Sequence, residues 1–197
     1  GVALHIMCDM LAALEFAHEL RDLNGVHLGL IHRDVSPSNA IVTLTGITKL
    51  VDFGIAKATG KIEGRTRTGV VKGKISYLAP EQLQQGTKAD RRIDLFAAGI
   101  VLYELLTTVH PFRGDGDIDT LQRIMNTTAA DPCGLRADLP RAIGDVVSKM
   151  LARDPGERFQ TAADAQHAIE AAATKSGLTL SHLEVRANLA ALMPAIE

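Results

Sequence analysis

Cysteine is scarce in this sequence. Cys8 and Cys133 are the only two among 197 residues, and neither belongs to a C-x-x-C pair. A disulfide framework or a thiolate zinc site is therefore not supported, and a reducing cytoplasm is the expected compartment. The histidines likewise lack ligand spacings such as H-E-x-x-H. We expect His18, His110 and the others outside the motifs below to be packing or surface residues.

Basic clusters and long apolar runs are missing as well. The formal net charge is −2 with seven histidines counted as neutral, and no stripe of lysine and arginine occurs. Binding to nucleic acid or to an anionic membrane surface is therefore not predicted. The longest apolar run, residues 95–103, is far shorter than the roughly 20 residues that a membrane-spanning helix needs. It predicts a buried core helix instead.

The composition is that of one globular domain, with 46% hydrophobic and 22% charged residues. Apolar residues three or four apart predict an amphipathic helix over residues 3–21. β-Branched stretches predict strands at 28–32, 40–44 and 47–52, the last two joined in a hairpin at Thr45-Gly46. Because the chain starts at Gly1 directly in helical pattern, we expect it to be a piece of a longer protein.

The second half of the chain has a different pattern. Residues 57–73 are polar, rich in Gly, Thr, Lys and Arg, and predict a long loop. Further helices are predicted at about 80–86, 92–108, 117–127, 140–152 and 161–173, with breakers at His110-Pro111, Asp131-Pro132 and Asp154-Pro155. Residues 174–197 predict one extra helix, which either packs on the domain or serves as a linker or partner-binding helix.

Three short motifs follow one another at suitable distances. Residues 32–39 have the sequence H-R-D-V-S-P-S-N, in which Asp34 precedes Asn39 by five positions. Asp52-Phe53-Gly54 comes thirteen residues after Asn39, and Ala79-Pro80-Glu81 follows the polar loop. An isolated Asp-Phe-Gly is weak evidence, since an aspartate there is more often a turn residue. The ordered triple is a strong indication of a phosphoryl-transfer site.

With these motifs, residues 3–173 resemble the C-terminal lobe of the bacterial eukaryotic-type (Hanks-type) serine/threonine protein kinases. Asp94 opens a D-x-[WF]-x-x-G stretch similar to the start of the family's central helix, and residues 154–158 are similar to its D-P-x-x-R turn. The resemblance implies a kinase-like α+β fold, mainly α, with a small β-hairpin at the catalytic face. We therefore assign residues 1–173 to this lobe and 174–197 to an extra helix or linker.

The resemblance also implies ATP and Mg²⁺ as cofactors and protein Ser/Thr hydroxyls as acceptors. Asp34 would accept the proton of the acceptor hydroxyl. Asn39 and Asp52 would bind Mg²⁺, which prefers oxygen ligands. Together with Ile41 they would form the nucleotide-binding surface.

A regulatory set is implied around the polar loop. Arg33 resembles the arginine that binds a phosphate on the activation loop, because a guanidinium can hold phosphate in a bidentate manner. Thr66 and Thr68 are the candidate phosphate acceptors. The alternative is that they are ordinary threonines in a basic loop.

A structural set supports the site. Glu81 and Arg158 are expected to form a buried ion pair. This pair would hold the substrate-docking segment, which contains Ala79-Pro80-Glu81, against the helices that follow it. Asp94 is expected to accept backbone N–H bonds from residues 32–39, which correspond to the catalytic loop of these kinases. The remaining members of this set are His32, Phe53 and Gly54.

Two positions depart from the family pattern. Ser36 occupies the place of the usual lysine two residues after the catalytic aspartate, and Lys74 occupies the place of the usual threonine before Ala79-Pro80-Glu81. Both places lie beside the catalytic aspartate in kinases similar to this one. We therefore expect Lys74 to reach the γ-phosphate while the Ser36 hydroxyl bonds Asp34, so that a cation remains where charge develops.

Residues 1–197 contain no Gly-rich loop and no strand lysine of the V-A-I-K type. These parts orient the ATP phosphates, so we expect an N-terminal lobe outside these residues to be required for binding and activity. The face on which it docks would be an apolar patch, which favours self-association of the isolated piece. Two alternatives remain: a pseudokinase or scaffold, favoured by Ser36, and a small-molecule phosphotransferase, disfavoured by the docking segment.

Overall fold

The computed structural model describes residues 1–53, 74–84, 86 and 90–192, which hold seven α-helices and one two-stranded sheet. The helices are α1 (Val2–His18), α2 (Arg92–Thr107), α3 (Asp117–Asn126), α4 (Pro132–Leu135), α5 (Arg141–Met150), α6 (Ala162–Lys175) and α7 (His182–Leu192). The strands are β1 (Ala40–Val42) and β2 (Thr48–Leu50). Short 3₁₀ turns lie at Pro37–Asn39, Lys74–Tyr77 and Pro80–Gln82. The predicted α+β, mainly helical fold class is confirmed.

Helix α2 forms the centre of the core. Every residue from Ile93 to Tyr103 is buried, as expected for a helix that is apolar on all sides. It packs against α1 and α5. A Cβ at Gly99 would lie 2.9 Å from the Cβ of Met150, so glycine allows α5 to approach this closely. The predicted buried core helix is therefore present at 95–103.

Helix α1 packs against α2 on one side and α6 on the other. The helix ends at His18, three residues before the predicted end at 21. A tight turn then begins, in which the Asp22 carboxylate accepts the N–H groups of Asn24 and Val26 at 2.8 and 2.9 Å. Side chains of aspartate often compete for backbone N–H groups in this way, and so they end helices.

The predicted hairpin is present as β1 and β2, which pair antiparallel with Ile41 opposite Lys49. Its turn is covered by α7, which also contacts α1. Gly46 has φ +86°, and a Cβ there would lie 2.0 Å from the carbonyl oxygen of His182. Val185 of α7 is buried. The helix expected within 174–197 thus packs on the domain next to the hairpin.

Three local predictions were wrong. Residues 28–32 form no strand, because the N–H group of His32 is bonded to a side chain of α2 rather than to a neighbouring strand. The helix predicted at 80–86 is only the 3₁₀ turn Pro80–Gln82 among the described residues. Asp131-Pro132, taken as a breaker, instead starts α4, since Asp131 caps the N–H of Cys133 at 3.1 Å and proline is favourable in the first turn.

No helix in the described part of the chain is long and apolar enough to cross a bilayer.

Candidate active site

The catalytic loop is attached to the core through Asp94, at the start of α2. Its buried carboxylate accepts the backbone N–H groups of His32 and Arg33, both at 2.8 Å. A third contact, also 2.8 Å, joins it to Nε2 of His18. Because a buried carboxylate is costly unless it is hydrogen-bonded, these three partners explain how Asp94 is tolerated at 1% exposure. The loop is thereby fixed to the most buried helix of the domain.

Arg33 adopts φ +62°. This left-handed conformation is uncommon for residues other than glycine and is found repeatedly at functional sites. The hydrogen bond from its N–H to Asp94 contributes to holding it there. As a result the chain turns sharply between His32 and Asp34.

His32 joins the catalytic loop to the end of β2. Its Nε2 donates to the carbonyl of Val51 at 3.1 Å, and its Nδ1 accepts the N–H of Asp34 at 3.3 Å. These two bonds assign the neutral ring with the proton on Nε2. Burial lowers the pKa of His32, which favours the same neutral form. The ring also packs at 4.3 Å between centroids against Phe53, beside Asp52.

Asn39 makes a second connection between the same two segments. Its side-chain Nδ2 donates to the carbonyl of Asp34 at 2.7 Å, and its own carbonyl accepts the N–H of Val51 at 2.9 Å. The residue is buried and ends the 3₁₀ turn Pro37–Asn39. His32 and Asn39 together therefore bring Asp34 close to the chain that leads into Asp52.

The side-chain oxygen atoms of Asn39 and Asp52 are of the kind that Mg²⁺ prefers as ligands. Since the amide nitrogen of Asn39 donates within the loop, its amide oxygen is the side-chain atom that could coordinate a cation. Asp52 is exposed and has φ +57°, which turns the chain after β2. Among the described residues no group of three His, Cys, Asp or Glu side chains is placed to hold a metal. Mg²⁺ does not need one, because it is commonly held by one or two protein oxygens plus phosphates.

Ile41 lies in the middle of β1 with 51% of its surface exposed. Leu44 and Ile47 of the hairpin are also exposed, at 74% and 48%. The hairpin between Asn39 and Asp52 therefore exposes three large apolar side chains. No contact in the described residues assigns Ile41 to a nucleotide.

Lys74 lies directly at the predicted base. Its Nζ donates to Oδ2 of Asp34 at 2.6 Å, and the two side chains are 35% and 12% exposed. The Ser36 hydroxyl was expected to bond Asp34. In the structure it lies 3.0 Å from the hydroxyl of Ser38 instead. Ser36 is buried beside the 3₁₀ turn, where a neighbouring hydroxyl satisfies it locally. The ammonium group of Lys74 therefore contacts Asp34, whereas the Ser36 hydroxyl contacts that of Ser38, and the roles of both residues in transfer stay predictions.

The expected ion pair between Glu81 and Arg158 is present and buried. The guanidinium binds both carboxylate oxygens, at 2.7 and 2.9 Å. It also stacks over Phe96 at 4.6 Å from the ring centroid. The segment after Lys74 is thereby fixed to α2 and to the turn before α6.

Three of the predicted site residues, Gly54, Thr66 and Thr68, lie outside the described residues. The pairing of Arg33 with a phosphorylated loop therefore stays a prediction.

Sequence reasoning missed two supports of the site. His18 was expected to be a packing residue, yet its ring contacts the Asp94 carboxylate. The Tyr77 hydroxyl donates to Oε2 of Glu104 in α2 at 2.6 Å, and its ring meets that of His110 edge to face at 5.4 Å. Burial and this hydrogen bond raise the pKa of Tyr77, so the phenol stays a donor. Neither contact could be predicted from residue spacing, because the two partners are far apart in the sequence.

Comparison with known proteins agrees with this geometry. The family model "Protein kinase domain" matches residues 2–170. Tyrosine-protein kinase MasK of Myxococcus xanthus is 43% identical over 86% of this chain and 26% of its own length. Serine/threonine-protein kinase PknB is 36% identical in Mycobacterium leprae and 37% in Mycolicibacterium smegmatis, in each over 82% of this chain and 25% of PknB.

A helical lobe whose catalytic loop is bonded to a buried central helix is the architecture of the larger kinase lobe. The chain belongs to the protein kinase family. It spans about a quarter of the length of the curated relatives it matches.

Proposed function

We propose that this chain is the C-terminal lobe of a serine/threonine protein kinase, with Asp34 as the base. The observation that carries the proposal is the connection of Asp34 with Asn39 and the end of β2 through buried hydrogen bonds. Phosphoryl transfer needs positioning and charge stabilisation more than covalent help from the protein. A carboxylate whose backbone is fixed, bonded to Asn39 and connected to the strand end that precedes Asp52, suits that need.

Each residue would have a separate task. Asp34 would orient the acceptor hydroxyl and take its proton. Asn39 and Asp52 would hold Mg²⁺, and the exposed Ile41 would contact the nucleotide. Bound MgATP supplies the phosphoryl group. We further propose that the lobe covering ATP comes from sequence outside residues 1–197 and rests on the apolar hairpin face, so that these residues alone are inactive.

The acceptor class is the finer part of the proposal. The PknB relatives are named serine/threonine kinases, and this supports the same acceptors for this chain. A tyrosine acceptor is the second candidate, because MasK, at 43% identity, is named a tyrosine kinase. The pseudokinase alternative is disfavoured because Asp34, Asn39 and Asp52 are all present in the sequence, and because Asp34 and Asn39 are bonded to each other and to the chain that leads into Asp52.

The test is phosphate transfer by the full-length protein to matched peptides that differ only in Ser, Thr or Tyr. Asp34→Asn should reduce transfer about 10²–10⁴-fold, since it keeps the shape and removes the proton acceptor. Asp145→Asn on the exposed side of α5 is the same chemical change away from the site and should leave the rate unchanged. An Asp34→Asn variant with the wild-type rate would exclude Asp34 as the base. Transfer to tyrosine alone would replace the serine/threonine assignment.

A further inference from the structure

In the part of the chain that the structure describes, a cation bonded to the proposed base comes from outside the catalytic loop. Residues 32–39 contain no lysine, and the ammonium bonded to Asp34 comes from Lys74, forty residues further along the chain. Lys74 begins the 3₁₀ turn that leads directly into Ala79-Pro80-Glu81. The same segment therefore carries this cation and the residues expected to dock the substrate.

We propose that Lys74 binds the transferred phosphate and that phosphoryl transfer in this kinase therefore depends on the position of the segment 74–81. This inference rests on the proposed kinase function and adds to it a source of regulation. In a kinase whose phosphate-binding cation belongs to the catalytic loop, that cation stays beside the catalytic base when the docking segment moves. In this chain a movement of the segment 74–81 would carry Lys74 away from Asp34.

The contact with Asp34 is compatible with binding phosphate. An ammonium has three N–H donors, and one of them meets Oδ2 of Asp34. With 35% of its side chain exposed, Lys74 can offer the others to phosphate oxygens. Asp34 thereby aligns the ammonium beside the place where the acceptor hydroxyl would lie, and a cation there stabilises the charge that develops in transfer.

Two residues act as positioning residues for Lys74. The turn Lys74–Tyr77 is fixed to the core helix by the 2.6 Å hydrogen bond from Tyr77 to Glu104. Behind it, Glu81 is fixed by Arg158. The backbone of Lys74 is thus held from one side by α2, the helix that also fixes the catalytic loop through Asp94. Weakening the Tyr77 contact should displace Lys74 without touching Asp34.

The first test uses an acyl phosphate of ATP on the full-length protein. The amine of a lysine near the terminal phosphate attacks the acyl carbonyl, forms an amide and releases ATP as the leaving group. Peptide mapping should find the acyl group on Lys74, and excess ATP should suppress the labelling. Lys175, exposed at the end of α6, is the internal control and should show no ATP-protected labelling.

The outcomes separate this inference from the kinase assignment. ATP-protected labelling of another lysine with none at Lys74 would overturn the inference and leave nucleotide binding intact. A complete absence of ATP-protected labelling would overturn both. Labelling at Lys74 supports the inference whichever amino acid is the acceptor.

Kinetics give the second test. Lys74→Ala should lower kcat about 10²-fold or more with little change in KM for ATP, whereas Lys175→Ala should change neither. Tyr77→Phe should lower kcat about tenfold or less and reduce the labelling of Lys74. Ser36→Lys combined with Lys74→Ala should recover part of kcat, because it returns a cation to the loop. If Lys74→Ala and Lys74→Arg both keep kcat within threefold of the wild type, Lys74 is not the phosphate ligand.

Discussion

Replacing Arg158 with methionine removes the cation from an ion pair that solvent hardly reaches. The side chain of Arg158 is 0% exposed and that of Glu81 is 7% exposed. A guanidinium has five N–H donors, and each of the five has a partner. Two bind Glu81, and the other three bind the carbonyl groups of Ala152, Arg92 and Arg153 at 2.7, 3.2 and 3.0 Å.

The expected loss of unfolding free energy follows from the groups that lose their partner in Arg158→Met. Glu81 becomes an unpaired buried carboxylate, and three partly buried carbonyl groups lose a donor. Breaking a buried pair from one side typically costs about 3–5 kcal/mol of unfolding free energy. The double variant Glu81→Leu with Arg158→Met removes the stranded charge, and we expect it to recover a large part of that loss. The losses of unfolding free energy in the two single variants should therefore add up to more than the loss in the double variant.

Urea unfolding followed by far-ultraviolet circular dichroism measures these differences. Tryptophan fluorescence would not report on this lobe, because residues 1–197 contain no tryptophan. The control is Asp145→Ala, which breaks a pair with Arg141 whose side chains are 59% and 61% exposed, and no measurable change is expected. The reasoning fails if Arg158→Met lowers the unfolding free energy by less than about 1 kcal/mol. It also fails if the losses in the two single variants add up to the loss in the double variant.

Two further predictions concern titratable groups. Burial raises the pKa of Cys8 to about 12, so at pH 8 only about one part in ten thousand is thiolate. A thiol reagent should therefore modify the half-exposed Cys133 first, and rapid modification of Cys8 in the folded protein would contradict the burial. Burial and the neighbouring Arg113 lower the pKa of His110 from 6.5 to about 4. The unfolded chain then takes up a proton that the folded state resists, so stability contributed by neutral His110 is present above pH 6.5 and is lost as the pH falls from 6.5 to 4. His110→Gln should flatten the stability profile in that window, and an unchanged slope would exclude His110 as the cause.

The helices of this lobe could be predicted from the sequence because their signals are local. Apolar spacing placed α2, α3, α5 and α6 to within a few residues, and the pattern around Thr45-Gly46 predicted the hairpin. The strand predicted at 28–32 failed because a strand also needs a partner, and the apolar pattern does not show whether one exists. For α4, the capping signal at Asp131-Pro132 was present in the sequence but was taken as a breaker.

The site was predictable where a motif fixes several residues at once. Motif spacing singled out Asp34, Asn39 and Asp52 as candidates, and the resemblance to kinases predicted that Lys74 lies beside Asp34. The contact of the Ser36 hydroxyl with that of Ser38, two residues away, was not predicted, because the motif pattern carries no information on such local hydrogen bonds. The contacts of His18 with Asp94 and of Tyr77 with Glu104 span 76 and 27 positions. Only the folded chain brings such partners together.

The position of Asp34 depends ultimately on α2. The left-handed backbone of Arg33 costs roughly 1–2 kcal/mol relative to ordinary conformations, so the loop needs an external restraint to keep it. Asp94 provides that restraint through two N–H groups, and it can do so because His18 supplies its third partner. The same helix holds Tyr77, and so Lys74, through Glu104. The two charges that meet at 2.6 Å in the site are therefore both positioned by one buried helix, which is why segments forty residues apart can act as a single unit.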